Sequence, residues 1–243
     1  MKISLINLDR SPDRLAQFTD FNRHLTGVSR FPAVDGTTVD VAALERANLL
    51  DRNVLATYTP GALGCALSHV TLWDRVIADR EIGTICEDDA IFNRNFAQSA
   101  ERVIAALPRD WDFILWGWNF DSYLLFELLP DVSPCLCCFD EEQMRAGVGR
   151  FQDHAVMPQV FRLQRALGIP CYSISAKGAR VLKAACVPLA RIRVFFPGLD
   201  RHVPNTGIDI MMNNAYPQIA AFVSFPPLVI TRNEIGKSTV QME

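Results

Sequence analysis

A chain of 243 residues that is 49% hydrophobic and 21% charged has the make-up of a folded globular protein, which excludes a disordered one. Its net charge of −3, with the basic residues scattered, leaves no electrostatic footprint for nucleic acid. The apolar stretches over residues 3–8 and 219–230 are far shorter than the ~20 residues of a spanning helix and unlike an export signal. The sequence therefore reads as cytoplasmic, with peripheral contact at the inner face of a membrane as the most it would make. Seven cysteines, three of them crowded at Cys135, Cys137 and Cys138, fit neither a disulfide framework nor a repeated zinc spacing and are read as free thiols.

No repeat or linker interrupts the chain, so a single domain is expected. Residues 3–8 form a predicted strand. Ser11-Pro12 marks a helix start, with Ser as N-cap and Pro at the first helical position, and Leu15, Phe18, Phe21 and Leu25 follow at helical spacing. An extended segment over 29–34 ends in the turn pair Asp35-Gly36. Residues 61–78 carry two apolar stripes, Leu63-Leu67-Val70-Trp73-Ile77 and Cys65-His69-Leu72-Val76, the pattern of an interior helix. A strand over 82–86 runs into three consecutive acids, Glu87, Asp88 and Asp89. A helix over 95–107 stops at Pro108, and a strand over 112–118 precedes Asn119 and Asp121. Between 120 and 168 only a helix over 141–150 is legible. A strand over 170–174, a helix capped by Ser175, a short helix over 206–216 and an extended apolar stretch over 220–230 complete the series. Strands alternating with helices predict an α/β fold with a largely parallel sheet.

In open α/β sheets ligands bind at the carboxyl ends of the strands, which draws attention to Glu87-Asp88-Asp89. Three crowded carboxylates raise one another's pKa unless a cation offsets their charge, and hard divalent ions such as Mg²⁺ or Mn²⁺ take such oxygen ligands. Alternation in an extended segment would let Glu87 and Asp89 grip one ion while Asp88 points elsewhere. Taken alone, an acidic triplet is more often a solvated turn. Gly61-x-x-Gly64 follows no strand, so glycines that let a helix pack closely are the better reading than a phosphate cradle. His69 on an apolar face reads as a core histidine. Asp209, three residues after Thr206, fits a helix cap as well as it fits a catalytic carboxylate.

The ordered set of motifs is more specific than any one of them. Ile6-Asn7-Leu8-Asp9-Arg10-Ser11-Pro12-Asp13-Arg14 resembles the opening of glycosyltransferase family 25, the bacterial lipooligosaccharide hexosyltransferases and the procollagen galactosyltransferases. Ala33-Val34-Asp35-Gly36 is similar to that family's next segment. Gly61-Ala-Leu-Gly64-Cys65-Ala-Leu-Ser68-His69 resembles its Gly-x-x-Gly-Cys-x-x-Ser-His helix, and Glu87-Asp88-Asp89 its acidic strand end. Tyr172-Ser-Ile-Ser175 with Gly178-Ala179, then Ile208-Asp209, Pro226-Pro227 and Ser238-Thr239 follow in the family's order, while residues 119–168 match little.

The resemblance implies a GT-A-like nucleotide-sugar transferase fold with helices on both faces of the sheet, in one domain over 1–243. Residues 1–118 would form the donor and metal half, and 119–243 the acceptor side. It implies a UDP-hexose donor, UDP-galactose or UDP-glucose, a saccharide, glycolipid or glycoprotein acceptor, and Mn²⁺ or Mg²⁺ on Glu87 and Asp89. Asn7, Arg10, Asp35 and Asp88 would line the nucleotide pocket, with Gly64, Ser68 and His69 supporting it. Transfer in the family inverts the anomeric centre, which calls for one general base; Asp209 is the first candidate, Asp112 and Asp121 the reserves. Two alternatives stay open: a non-catalytic carbohydrate- or partner-binding member of the fold, and a glycoside hydrolase, which would use two carboxylates and no metal. A nucleotide-dependent oxidoreductase rests only on Gly61 and Gly64 and is discounted.

Overall fold

The computed structural model describes residues 1–120 and 122–232, so Asp121 and the segment Ser238-Thr239 lie outside the described residues. The chain opens with β1 (Ile3–Asn7), α1 (Pro12–Phe21) and β2 (Val28–Pro32), followed by the short α2 (Val41–Arg46). The interior helix α3 (Pro60–Asp79) leads into β3 (Gly83–Glu87), β4 (Ala90–Phe92), α4 (Phe96–Ala106) and β5 (Phe113–Gly117). The next stretch holds β6 (Leu124–Leu129), β7 (Ser133–Cys137), α5 (Glu141–Phe151) and β8 (Gln159–Ala166). Then come β9 (Cys171–Ile174), α6 (Ala176–Cys186), a hairpin of β10 (Arg193–Phe196) and β11 (Arg201–Pro204), α7 (Ile208–Met212), β12 (Ala221–Phe225) and β13 (Val229–Thr231).

Nine strands form the central sheet in the order β2-β1-β3-β9-β5-β12-β8-β6-β7. β1, β2, β3, β5, β6 and β12 run one way; β7, β8 and β9 run against them. The sheet is thus mixed. Most strands share one direction, as the α/β alternation leads one to expect, yet because β7, β8 and β9 run against their neighbours, three of its pairings are parallel and five antiparallel. Successive side chains of a strand face opposite sides, and β5 shows the consequence: Phe113 and Leu115 join one core, Ile114 and Trp116 the other. The first core packs α3 and α6 around Trp73, Tyr172 and Leu182; the second packs α1 and α4 around Phe18, Phe96 and Trp116. Helices cover both faces, the arrangement a sheet apolar on both sides requires.

α3 is buried almost all round, from Ala62 to Val76, in keeping with its two apolar stripes. Its first turn explains the glycine pair. A Cβ on Gly64 would stand 2.3 Å from the Val34 carbonyl oxygen, and one on Gly36 would stand 1.9 Å from that of Pro60. The helix start and the loop after β2 therefore meet backbone to backbone, and Ser68 Oγ, which accepts from Val34 N–H at 2.9 Å, locks the contact. Asp209 is not the third residue of a box capped by Thr206, although its carboxylate does meet the N–H groups of Ile210 and of its own residue in the first turn of α7. The N-cap of α7 is Gly207, with no side-chain cap, and Thr206 is exposed outside the helix.

Candidate active site

β1, β2 and β3 run parallel and in register, Asn7 beside Pro32 and Ile6 beside Glu87, so the loops that follow them open at one end of the sheet. The acidic triplet stands there, though not in an extended segment. β3 ends at Glu87, and Asp88-Asp89 make a two-residue turn into β4, which sends the three carboxylates three ways. Asp88 turns toward β1: its Oδ2 accepts from Asn7 Nδ2 at 2.7 Å and its Oδ1 from Arg14 Nε at 2.8 Å. Glu87 turns toward α3, where its Oε1 stands 3.4 Å from His69 Nε2 and 3.8 Å from Cys65 Sγ. Thr231 donates to the Asp89 carboxyl, yet Asp89 Oδ1 is buried with no hydrogen-bond partner.

Burial, then the negative charges of Asp209 and Asp88, push Glu87 up to about 8. Burial and the charge of Glu87 push Asp89 up to about 7. Arg14 reaches the cluster from the first turn of α1 and counters all three acids. The sequence motif contains Arg14 but gave it no role, because its partner is 74 residues away.

Asn7 is fully buried and its amide is engaged on every side. It donates to Ser11 and Asp88, and its Oδ1 accepts from Arg30 Nε at 2.9 Å. Asn7 therefore clasps Asp88 in place rather than offering a free group to the cleft. Arg10 and Asp35 meet in an ion pair that joins the loops after β1 and β2 at the rim.

His69 is completely buried, and burial lowers its pKa to about 4, so the ring is neutral. Its Nδ1 is hydrogen-bonded at 2.8 Å to the Tyr172 hydroxyl, which also accepts from Trp73 Nε1 at 2.8 Å. The core reading is thus half the account: the same ring faces packed aromatics on one edge and the Glu87 carboxylate on the other.

Asp209 belongs to the same end of the molecule. Its Oδ2 accepts from Gly168 N–H at 2.9 Å, and burial raises its pKa while the N–H groups of Gly168, Ile210 and its own residue hold it down. Its charge acts on Glu87, His69 and Cys65 alike. Gly168 takes φ +82, a conformation other residues rarely adopt, so the loop that presents its N–H depends on glycine. Asp112 is different. Phe113 pairs with Ile174 and Gly117 with Cys171, whereas Cys171 also pairs with Cys86, so Asp112 sits at the far end of the sheet from Glu87. There its carboxylate accepts from Ser175 Oγ and Ala220 N–H and pairs with Lys177. A carboxylate used up in this way, on the wrong edge, is an anchor, and it drops out as a general base.

A cluster of carboxylates at strand C-termini is the kind of site that receives a charged ligand through a cation. The model of glycosyltransferase family 25 (LPS biosynthesis protein) matches residues 1–192. The chain belongs to that family. A glycosyltransferase 25 family member of Aedes aegypti is 31% identical over 125 residues, 47% of this chain and 21% of that protein. Human procollagen galactosyltransferase 2 is 30% identical over 129 residues, 48% of this chain and 20% of its own length. Mouse inactive glycosyltransferase 25 family member 3 is 30% identical over 128 residues, 48% and 22% respectively. The matched stretch is about a fifth of each of these relatives. Among the described residues no helix is long and apolar enough to cross a membrane.

Proposed function

We propose that the protein transfers a hexose, galactose or glucose, from a UDP-sugar to a hydroxyl of a saccharide or glycoconjugate, with inversion and with the help of Mn²⁺ or Mg²⁺. The observation that carries this reading is the orphaned, buried Asp89 Oδ1 beside Glu87, two carboxyl groups that both stand well above their ordinary pKa. A hard divalent cation fits such a place, because it would supply the missing partner and offset the repulsion. When bound, the ion would neutralise charge on the departing diphosphate.

The chain's own groups then have distinct tasks. Glu87 and Asp89 would hold the ion between them, from the two sides to which the turn directs them. Asp88, fixed by Asn7 on Oδ2 and by two Arg14 N–H groups on Oδ1, keeps a lone pair on Oδ2 for a ribose hydroxyl. Arg10 and Asp35 form the rim of the nucleotide side. Asp209 takes the proton from the acceptor hydroxyl; burial raises its proton affinity, and Gly168 N–H fixes the direction of its carboxylate. A family member with equal identity carries the name inactive, so membership alone does not argue for turnover. Support for turnover over a purely binding role comes from the chemistry of the acidic cluster and Asp209 in this chain.

The test is a donor screen: UDP-sugars with and without Mn²⁺, followed by slow release of UDP, which needs no acceptor. Metal-dependent hydrolysis of one UDP-hexose is the expected result. Tight UDP–Mn²⁺ binding with no hydrolysis and no transfer to any saccharide would favour the non-catalytic member of the fold.

A further inference from the structure

Cys65 and His69 stand four residues apart on α3, so both leave the same face of the helix. Both meet Glu87 at the end of β3, and the Cys65 sulfur, a His69 nitrogen and a Glu87 oxygen lie within 4.8 Å of one another. The separations are informative. His69 Nε2 to Glu87 Oε1 is 3.4 Å and Cys65 Sγ to the same oxygen is 3.8 Å. A good N–H···O bond spans ~2.7–3.2 Å, so the first contact is a poor hydrogen bond. Around a tetrahedral ion with bonds of ~2.3 Å to sulfur and ~2.0–2.1 Å to nitrogen and oxygen, neighbouring donor atoms fall ~3.3–3.6 Å apart. The two separations to Glu87 already stand close to that spacing, and the sulfur and the imidazole nitrogen lie within 4.8 Å of each other.

The surroundings agree. Metal-bound imidazoles use their second nitrogen in a fixed hydrogen bond, and His69 Nδ1 has one, to a Tyr172 hydroxyl that Trp73 holds in turn. An ion would select the tautomer in which Nδ1–H donates to Tyr172, and Nε2 would then present its lone pair toward Cys65 and Glu87. Both of these are partly exposed, which leaves an entry path for an ion.

We propose that Cys65, His69 and Glu87 bind a borderline-soft divalent cation of the zinc class. The sulfur and nitrogen donors distinguish it from the all-oxygen site of Glu87 and Asp89, since soft ligands select against Mg²⁺ and Mn²⁺. On binding, the Cys65 thiol releases its proton to solvent and the thiolate ligates. Because Glu87 serves both sites, a zinc-class ion would withdraw it from the diphosphate and inhibit transfer; that consequence, unlike the site, rests on the proposed function.

Co²⁺ is the probe, titrated into the full chain after metal has been stripped by chelator and the chelator removed. One equivalent should give a thiolate-to-cobalt charge-transfer band with the intense visible absorption of tetrahedral Co²⁺, and Zn²⁺ should displace it. Cys65→Ala, with its fold verified by circular dichroism, should lose the band, while Cys135→Ser with Cys137→Ser should keep it. Tyr172→Phe should retain the band but weaken Zn²⁺ about 10–100-fold, as loss of an outer hydrogen bond does. A wild-type protein that binds UDP–Mn²⁺ but shows no thiolate band overturns the inference and leaves the proposed function standing. So does a band that survives in Cys65→Ala. A thiolate band in a protein that never binds UDP–Mn²⁺ supports the site and removes the proposed function instead.

Discussion

At the scale of single residues, Asp209 and Asp89 separate the tasks within the cleft. Asp209→Asn keeps an oxygen for the Gly168 N–H but loses the proton affinity a general base needs. Base catalysis contributes ~10²–10⁴-fold, so transfer should fall by at least ~10²-fold while melting temperature and UDP–Mn²⁺ affinity stay near wild type. Steady-state kinetics beside calorimetric titration read both, and a parallel fall in UDP–Mn²⁺ affinity would make Asp209 a donor or metal ligand. Asp89→Asn is predicted to do the reverse of that separation. It removes an ion ligand and the repulsion with Glu87 together, so metal-dependent UDP binding should be abolished with the fold intact. Unchanged affinity in the calorimeter would take the ion away from this turn.

At the scale of elements, α3 is where packing and site meet, and Gly64 is the test of it. A methyl group there would stand 2.3 Å from a backbone oxygen of the loop that carries Asp35. Since backbone cannot step aside as a flexible side chain can, Gly64→Ala should cost about 1–3 kcal/mol. It should also displace the rim, so thermal melting and UDP affinity should fall together; a stability loss with normal UDP binding would show that the loop is not part of the nucleotide site. α3 was legible in the sequence because two apolar stripes repeat along it, and β1, β3 and β5 because they are short apolar runs between turns. α2 was not, since it buries no residue and leaves no apolar period. β7 is half-exposed along its length and lies at the sheet edge, so it lacks the alternation that marks a strand. The acidic strand end could be placed from sequence, but Arg14 on Asp88 and Gly168 on Asp209 are pairings across 74 and 41 residues. Only the register of the whole sheet shows that Asp112 faces the opposite end.

At the scale of the whole molecule, the cleft makes stability depend on pH in a direction opposite to ordinary acid denaturation. Glu87 rises from 4.5 to about 8 on folding and Asp89 from 3.8 to about 7, chiefly through burial. An acid whose folded pKa is raised binds more protons in the native state than in the unfolded chain. Its contribution is complete below the unfolded value and is lost as pH climbs through the folded value. His69 acts the other way: lowered from 6.5 to about 4, it stabilises the fold as pH rises through that interval and contributes no slope above it. Between about pH 6.5 and 8, therefore, the carboxylates of the cleft act unopposed by His69. With chelator present, the melting temperature should decline across this window. Mn²⁺ or Mg²⁺ favours the charged carboxylates and should flatten the decline, with the largest gain in melting temperature at the high-pH end. Glu87→Gln, which cannot ionise, should flatten the chelator profile without any metal. Differential scanning calorimetry at several pH values, with and without ion, measures all three. A profile that is level in chelator for the wild type would mean that the cleft carries its negative charge at no cost, and the electrostatic argument for a cation there would fall with it.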